Sequence, residues 1–456
     1  LRPDPTRSTQ VMAALVPYPA YRDPSSPWLG PVPSHWGLRS LGSLVQPVTE
    51  RGRPDLPLLS VVRERGVILR SSMTDDENHN FVPDDLSNYK VVRKGDLVIN
   101  KMKAWQGSLG VAPCDGIVSP AYFVYHFGMA DLRYGQALLR SKPYTWLFAR
   151  ASDGVRIGQW DLSPYELKRI PVFVPPPDEQ AAIVRYLGHV DRRIRRYIRA
   201  REKLIALLNE QKQAIIHRAV TRGLDANVPL KPSGVEWLGD LPEHWEARRL
   251  KHVCRLMYGD SLPDERRTAG DVPVFGSNGP VGKHSMANTR GPCLVVGRKG
   301  SFGKVNYSTE PVFAIDTTFV VDGRSSNANC RWLYYILTWS RLDSVTKDSA
   351  VPGLDREEAH SRVVPWCPPN EQVLIAESLD ATLGHLDRVQ AAAAQSIEMI
   401  RDYRTRLISD VVTGKLDVRH LAPETEEPPL DEVETLEAAL TDGQEEPADD
   451  VQNDEF

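Results

Sequence analysis

The chain has 456 residues, 41% apolar and 25% charged, enough for two or three domains that each bury a core. No run approaches 18 uncharged apolar residues, and the N-terminus lacks a basic-then-apolar signal pattern, so a membrane span is not expected and a cytoplasmic location is. The five cysteines stand alone and the eleven histidines form no metal-ligand spacing, which argues against a zinc site or a disulfide framework. The net charge of −4 hides an asymmetry: fourteen of the 60 acidic residues lie between Ala422 and Phe456, with no Lys or Arg. The remaining body carries 46 acids against 56 bases, a net +10 that suggests a polyanionic partner.

In chain order, residues 1–25 are proline-rich and are expected to be extended and poorly packed. A head follows, Trp28-Leu29-Gly30 with Pro33, His35-Trp36, Arg39 and Leu41. It opens a first globular segment, 26–175, that reads as strand-rich. Apolar runs around Val91-Val92 and Leu97-Val98-Ile99 turn at Gly95 and lead into Lys101-Met102-Lys103-Ala104-Trp105-Gln106-Gly107 and then Ser119-Pro120-Ala121-Tyr122. Basic residues beside an aromatic and amides after a strand suit a loop that touches phosphates and bases, with Lys101, Lys103, Trp105, Gln106, Ser119 and Tyr122 as candidates. A solvated lysine loop over a core tryptophan accounts for the same letters.

Residues 176–225 predict a long helix. Pro176-Pro177-Asp178-Glu179-Gln180 opens it, with prolines where missing amide hydrogens cost little and Asp178 able to cap the first turn. Ile183, Leu187, Val190, Ile194, Tyr197, Leu204, Leu208 and Ile215 follow a 3–4 spacing, a narrow apolar seam that another helix can bury. Seven basic residues between Arg192 and Lys203 suggest a solvated face or an acidic partner.

The chain then starts again. Trp237-Leu238-Gly239, Pro242, His244-Trp245, Arg248 and Leu250 repeat the head, opening a second segment, 226–366. Its glycine-rich stretch Gly297-Arg298-Lys299-Gly300-Ser301-Phe302-Gly303-Lys304 invites a phosphate-loop reading, but Val305 follows Lys304 where Ser or Thr is needed. The glycines instead let the backbone turn and present side chains outward, so Asn278, Arg298, Lys299, Ser301, Lys304 and Thr317 become candidate DNA contacts. A plain hairpin with basic surface residues is the alternative.

Pro368-Pro369-Asn370-Glu371-Gln372 repeats the helix start, and residues 367–417 predict a second long helix, with Ile375, Leu379, Leu386, Val389, Ala393, Ile400, Tyr403 and Leu407 on the seam and Thr382 and Ser396 as polar members. Val220-Thr221 with Leu224-Asp225 returns as Val412-Thr413 with Leu416-Asp417, so about 45 residues repeat without insertion and each rod is about 63 Å long. Gly188 and Gly384 should weaken the rods locally. The two rods most simply pair with each other as a coiled coil. Residues 418–456 form an acidic tail, expected to be disordered apart from a faint helix at Val433, Leu436 and Leu440, that could compete with DNA for the basic body.

These duplicated motifs resemble the specificity subunit of type I restriction–modification enzymes over residues 18 to 420. Gly95-Asp96-Leu97-Val98 through Trp105 with Val118–Tyr122 is similar to one common target-recognition domain. Gly297–Ser301 through Asp316-Thr317-Thr318, then Ala350–Leu354, is similar to another. The resemblance implies an α/β (α+β) fold of two target-recognition domains on two antiparallel long helices. It implies a bipartite double-stranded DNA target and two modification (methyltransferase) subunits as partners, together with restriction/translocase subunits. S-adenosylmethionine, ATP and magnesium would act on those partners, leaving this chain without cofactor or catalysis. A coiled-coil scaffold without DNA contact and a free-standing nucleotide-dependent enzyme are the alternatives.

Overall fold

The structure is a computed structural model that describes residues 15–23, 29–74, 82–156, 159–344 and 353–423. Trp28, residues 350–352 and the tail beyond Pro423, all singled out above, lie outside the described residues. The chain divides into two compact units. One comprises the described residues of Leu1–Arg199 and Ile397–Phe456, the other Ala200–Ser396.

In the first unit, β1 (Val45–Pro47), β2 (Leu97–Asn100), β3 (Leu109–Val111) and β4 (Tyr122–Phe127) form an antiparallel sheet in the order β1-β4-β2-β3. The central β2 is buried on both faces, which explains its unbroken apolar letters. Leu97 and Ile99 enter the main core, while Val98 points to a smaller one with Leu59, Val67 and Val118. Helices α1 (Leu132–Leu139) and α2 (Lys142–Arg150) close the main core, through Tyr134, Leu138, Tyr144 and Phe148.

Two long helices follow the pattern of the repeat: α3 (Pro177–Arg222) and, after the second unit's sheet, the helix Pro369–Val412. At 1.5 Å per residue, 46 and 44 residues correspond to about 69 and 66 Å.

In the second unit, β5 (Met257–Tyr258), β6 (Cys293–Gly297), β7 (Val305–Ser308) and β8 (Thr318–Val321) form an antiparallel sheet in the order β5-β8-β6-β7. This is the order of the first sheet, in a stretch where the letters show little identity. Again the central strand is wholly buried: Leu294 and Val296 face the main core, Cys293 and Val295 a smaller one with Phe275 and Val312. Helix α4 (Cys330–Trp339) supplies Trp332, Leu333 and Ile336 to the main core, which α5, the helix Pro369–Val412, joins through Ile375, Leu379 and Leu383.

A clasp ties each head to its long helix. In the first unit, Trp36 Nε1 donates to Glu179 Oε1 at 2.9 Å and His35 Nε2 lies 2.8 Å from Oε2. In the second, Trp245 Nε1 donates to Glu371 Oε2 at 2.9 Å and His244 Nε2 lies 2.8 Å from Oε1. The next residue does the rest. Gln180 Nε2 donates to Pro175 O while its Oε1 accepts from the amide of Asp131, the residue capping α1; Gln372 makes the same bonds to Cys367 O and the amide of Asn329, which caps α4. The repeated Glu-Gln is thus a joint between head, sheet helix and rod.

Within the first unit Arg404 of α5 pairs with Asp191 of α3, and within the second Lys212 of α3 pairs with Asp387 and Gln390 of α5. Numbers rise on one helix as they fall on the other, so the pairing is antiparallel. Of the seam residues, Ile183, Ile194, Leu208, Ile375, Leu379 and Leu407 are buried; Leu187, Val190, Leu204, Ile215, Leu386 and Ile400 are half-buried.

Two details differ from the sequence reading. Tyr197, Thr382 and Tyr403 are exposed, whereas Ala376, Leu383 and Ile397 are buried. A 3.6-residue helix drifts against a strict 3.5-residue count, and the first half of α5 packs a broader face on the second unit's core. The described part of the N-terminal stretch, residues 15–23, is also better packed than expected: Tyr18 is buried, its hydroxyl donates to Glu179 Oε1 at 2.6 Å, and Asp417 N donates to Val16 O at 2.8 Å.

Candidate nucleic-acid interface

Because the two sheets share one strand order, the two candidate stretches fall at one topological place. Each is the connection from the buried central strand to the edge strand: residues 101–108 between β2 and β3, and 298–304 between β6 and β7. The base of each loop lies beside the start of the neighbouring strand. Tyr122 is the ladder partner of Asn100, and Thr318 of Gly297.

In the first unit, Ala104–Gln106 form a 3-10 turn ending at Gly107, whose φ of +83° a side chain would strain. Asn100 Oδ1 accepts from Met102 N at 3.1 Å. The Trp105 ring lies 5.0 Å from that of Trp160, on the hairpin Ser152–Arg156 with Gln159–Leu162, and its Nε1 donates to Met102 O at 3.2 Å. Trp105 and Gln106 are half-buried and Lys103 is exposed. Lys101 pairs with Asp161 at 2.9 Å, which neutralises part of its charge. Ser119 Oγ accepts from Ala121 N at 3.3 Å within the turn that delivers Tyr122. Burial raises the pKa of the Tyr122 phenol, keeping it neutral.

In the second unit the loop is braced from within. Gly297 N donates to Lys304 O and Gly303 N to Gly297 O, both at 2.8 Å. Gly303 has φ +77°, and a Cβ there would collide with the backbone of Asp343. The carbonyl of Thr317 accepts from the amides of Arg298 and Lys299 and from Ser277 Oγ. Lys304 Nζ donates to Asn278 O and Oδ1 at 2.9 and 2.7 Å. Lys299 and Ser301 are exposed.

Arg298 sits over the ring of Tyr258, 5.2 Å from its centroid, and Arg356 lies 5.0 Å from the same ring. Tyr258 is 53% exposed. Two guanidiniums held against an exposed aromatic have geometry suited to base edges and phosphates. Among the described residues, Arg298 Nε is buried without a hydrogen-bond partner. Tyr258 and Arg356 escaped the sequence reading because 40 and 58 positions separate them from Arg298; Trp160 and Asp161 are similarly distant from the first loop, and no local pattern marks them.

Thus the structure brings Lys304 to Asn278 and Arg298 and Lys299 to Thr317, and places Tyr122 at the foot of the Lys101–Gln106 loop. Among the described residues no group of three or more His, Cys, Asp or Glu is placed to hold a metal ion, and no helix is long and apolar enough to cross a membrane.

The family model described as "Type I restriction modification DNA specificity domain" matches residues 242–398. A Methanocaldococcus jannaschii chain provisionally named the type I restriction enzyme MjaX specificity subunit is 19% identical over 422 residues, 86% of this chain and 96% of its own. The Escherichia coli type I restriction enzyme EcoBI specificity subunit is 26% identical over 125 residues, 27% of this chain and 26% of its own. A solved chain, from work on complex assembly and conformational transition of the type I R-M system, matches the fold with a TM-score of 0.63 at 17% identity, covering 84% of this chain and 99% of that one.

Proposed function

We propose, from the premise that this chain belongs to the specificity-subunit family of type I restriction–modification enzymes, that it recognises a bipartite double-stranded DNA target and assembles the methyltransferase and restriction subunits upon it. The chain is a specificity subunit and non-catalytic by itself; adenine methylation and ATP-driven cleavage belong to its partners, two of them methyltransferase subunits.

The observation that carries this reading is the repeated frame with unlike loops. The two sheets have the same strand order and place a basic, aromatic-flanked loop at the same connection, yet one loop offers Lys103, Trp105 and Gln106 and the other Arg298, Lys299 and Lys304. Duplicated frames with different contact residues suit two different half-sites. A bidentate Arg or Gln contact discriminates by roughly 1–3 kcal/mol, so a single loop is a weak reader. Two readers on one chain make the second binding event intramolecular and multiply the selectivity.

Co-expression with the cognate modification subunit, followed by genome-wide mapping of methylated adenines, tests the proposal. A motif of two short defined halves around an unspecified gap is expected. A continuous motif, or none, rejects it.

A further inference from the structure

We infer that the acidic segment 424–456 docks into a basic, tryptophan-walled cleft of the first unit and there competes with DNA. The cleft has a volume of about 910 Å³, and its walls include Trp105, Arg133, Arg140, Lys142, Trp146 and Arg404. Five of its lining residues are basic, of which Arg404 is already paired with Asp191, and the single lining carboxylate, Glu64, lies 3.5 Å from Arg63. Trp146 is 70% exposed, an uncommon state for so large an apolar side chain, and it also borders a second hollow of about 520 Å³ shared with Lys142, Arg406 and the ion pair Lys415–Asp410. Burial lowers the pKa of Arg140, whose guanidinium donates to Arg63 O, so an arriving carboxylate would relieve it.

The segment has the complementary chemistry. Its 33 residues carry fourteen carboxylates and no Lys, Arg or His, with apolar Leu430, Val433, Leu436 and Leu440 among them. Carboxylates suit the guanidiniums and the apolar residues suit the two tryptophan faces. The tether is on the right body: Leu421 and Ala422 pack against the first unit's core, and Pro423 O accepts from Arg185 Nε at 3.0 Å. An extended chain of this length reaches about 110 Å, so distance does not limit docking. Since Trp105 and Gln106 line the cleft, a docked segment would cover the first candidate DNA loop. The competition rests on the DNA reading proposed above; the capture of the segment does not.

The test uses the full chain, a chain ending at Pro423, and the shortened chain carrying Lys142→Glu with Trp146→Ala, both exposed positions outside the proposed DNA contacts. A synthetic peptide of residues 424–456 is titrated into each form at low salt, and duplex DNA into the full and shortened chains. With a tethered concentration of roughly 1 mM, a peptide Kd near 100 μM would keep the cleft about 90% closed, and removing the segment would tighten DNA binding about tenfold. Expected are peptide capture by the shortened chain, at least tenfold weaker capture by the double variant, loss of capture at high salt, and displacement by DNA. Absence of peptide binding, equal binding by the double variant, or DNA affinity unchanged on shortening overturns the inference. Peptide capture without duplex binding by either form overturns the competition and points to failure of the DNA reading instead.

Discussion

At the residue scale, Arg298 and Glu179 illustrate two kinds of dependence. Arg298 lies against Tyr258 with Lys299 exposed beside it. On the reading proposed above, in a complex co-expressed with the modification subunit, Arg298→Ala should relax one half of the methylated motif by roughly 1–3 kcal/mol of discrimination, and Arg298→Lys should not restore it, because an ammonium lacks the planar fork. Lys299→Ala should instead weaken binding evenly across sequences and lower the salt slope by about one. Motif mapping and salt titration separate the two; relaxed specificity from Lys299→Ala would reverse the roles. Glu179 is held by Trp36, His35 and Tyr18 with its side chain 3% exposed, while Glu371 has two such partners and is 28% exposed. Removing a buried acceptor strands its donors at a cost of roughly 1–3 kcal/mol each, and Ala favours the helix, so propensity does not explain any loss. Glu179→Ala should therefore lower the denaturation midpoint more than Glu371→Ala.

At the scale of elements, the long helices were legible because their signal is local and written twice: proline entry, acidic first turn, apolar spacing and a shared end. The exit turns were less legible. Gly223 and Gly414 follow the repeated Val-Thr with φ of +74° and +77°, the left-handed ending that stops each rod. The seam was misplaced at Thr382 and Tyr403 because a spacing rule does not register which globular core a helix leans on. The common sheet order was hidden altogether, since strand pairing joins residues far apart and the two segments reach it with different letters. Gly188 and Gly384 lie inside the rods, and a Cβ at either would meet only ordinary contacts, with Arg192 at 3.6 Å and Arg388 at 4.0 Å. Gly188→Ala and Gly384→Ala should each stabilise by about 0.5–1 kcal/mol, read as a raised midpoint in chemical denaturation. A lowered midpoint would show a crowding that the helix geometry does not contain.

For the whole molecule, the division of labour between frame and loop sets what can be altered independently. The loop 298–304 is closed by its own hydrogen bonds and by Thr317, and its exposed Lys299 and Ser301 carry none of the core. On the reading proposed above, replacing residues 298–304 with an unrelated sequence that keeps Gly300, Gly303 and Phe302, which packs against the second unit's core, should change one half of the methylated motif and leave the other half and the gap as they were. A change in both halves would mean that the readers are not independent. A last consequence follows from Asp417, whose amide bonds to the carbonyl of Val16, and from Lys415, whose carbonyl accepts from the Tyr21 hydroxyl at 3.0 Å. Positions 16 and 417, some 400 residues apart in the chain, are neighbours in space, so the backbone is nearly a closed circle. Sewing residue 15 to residue 423 through a short glycine linker and cutting in the exposed turn at 224–227 would yield a reordered polypeptide that starts with the second head, and it should fold to the same architecture.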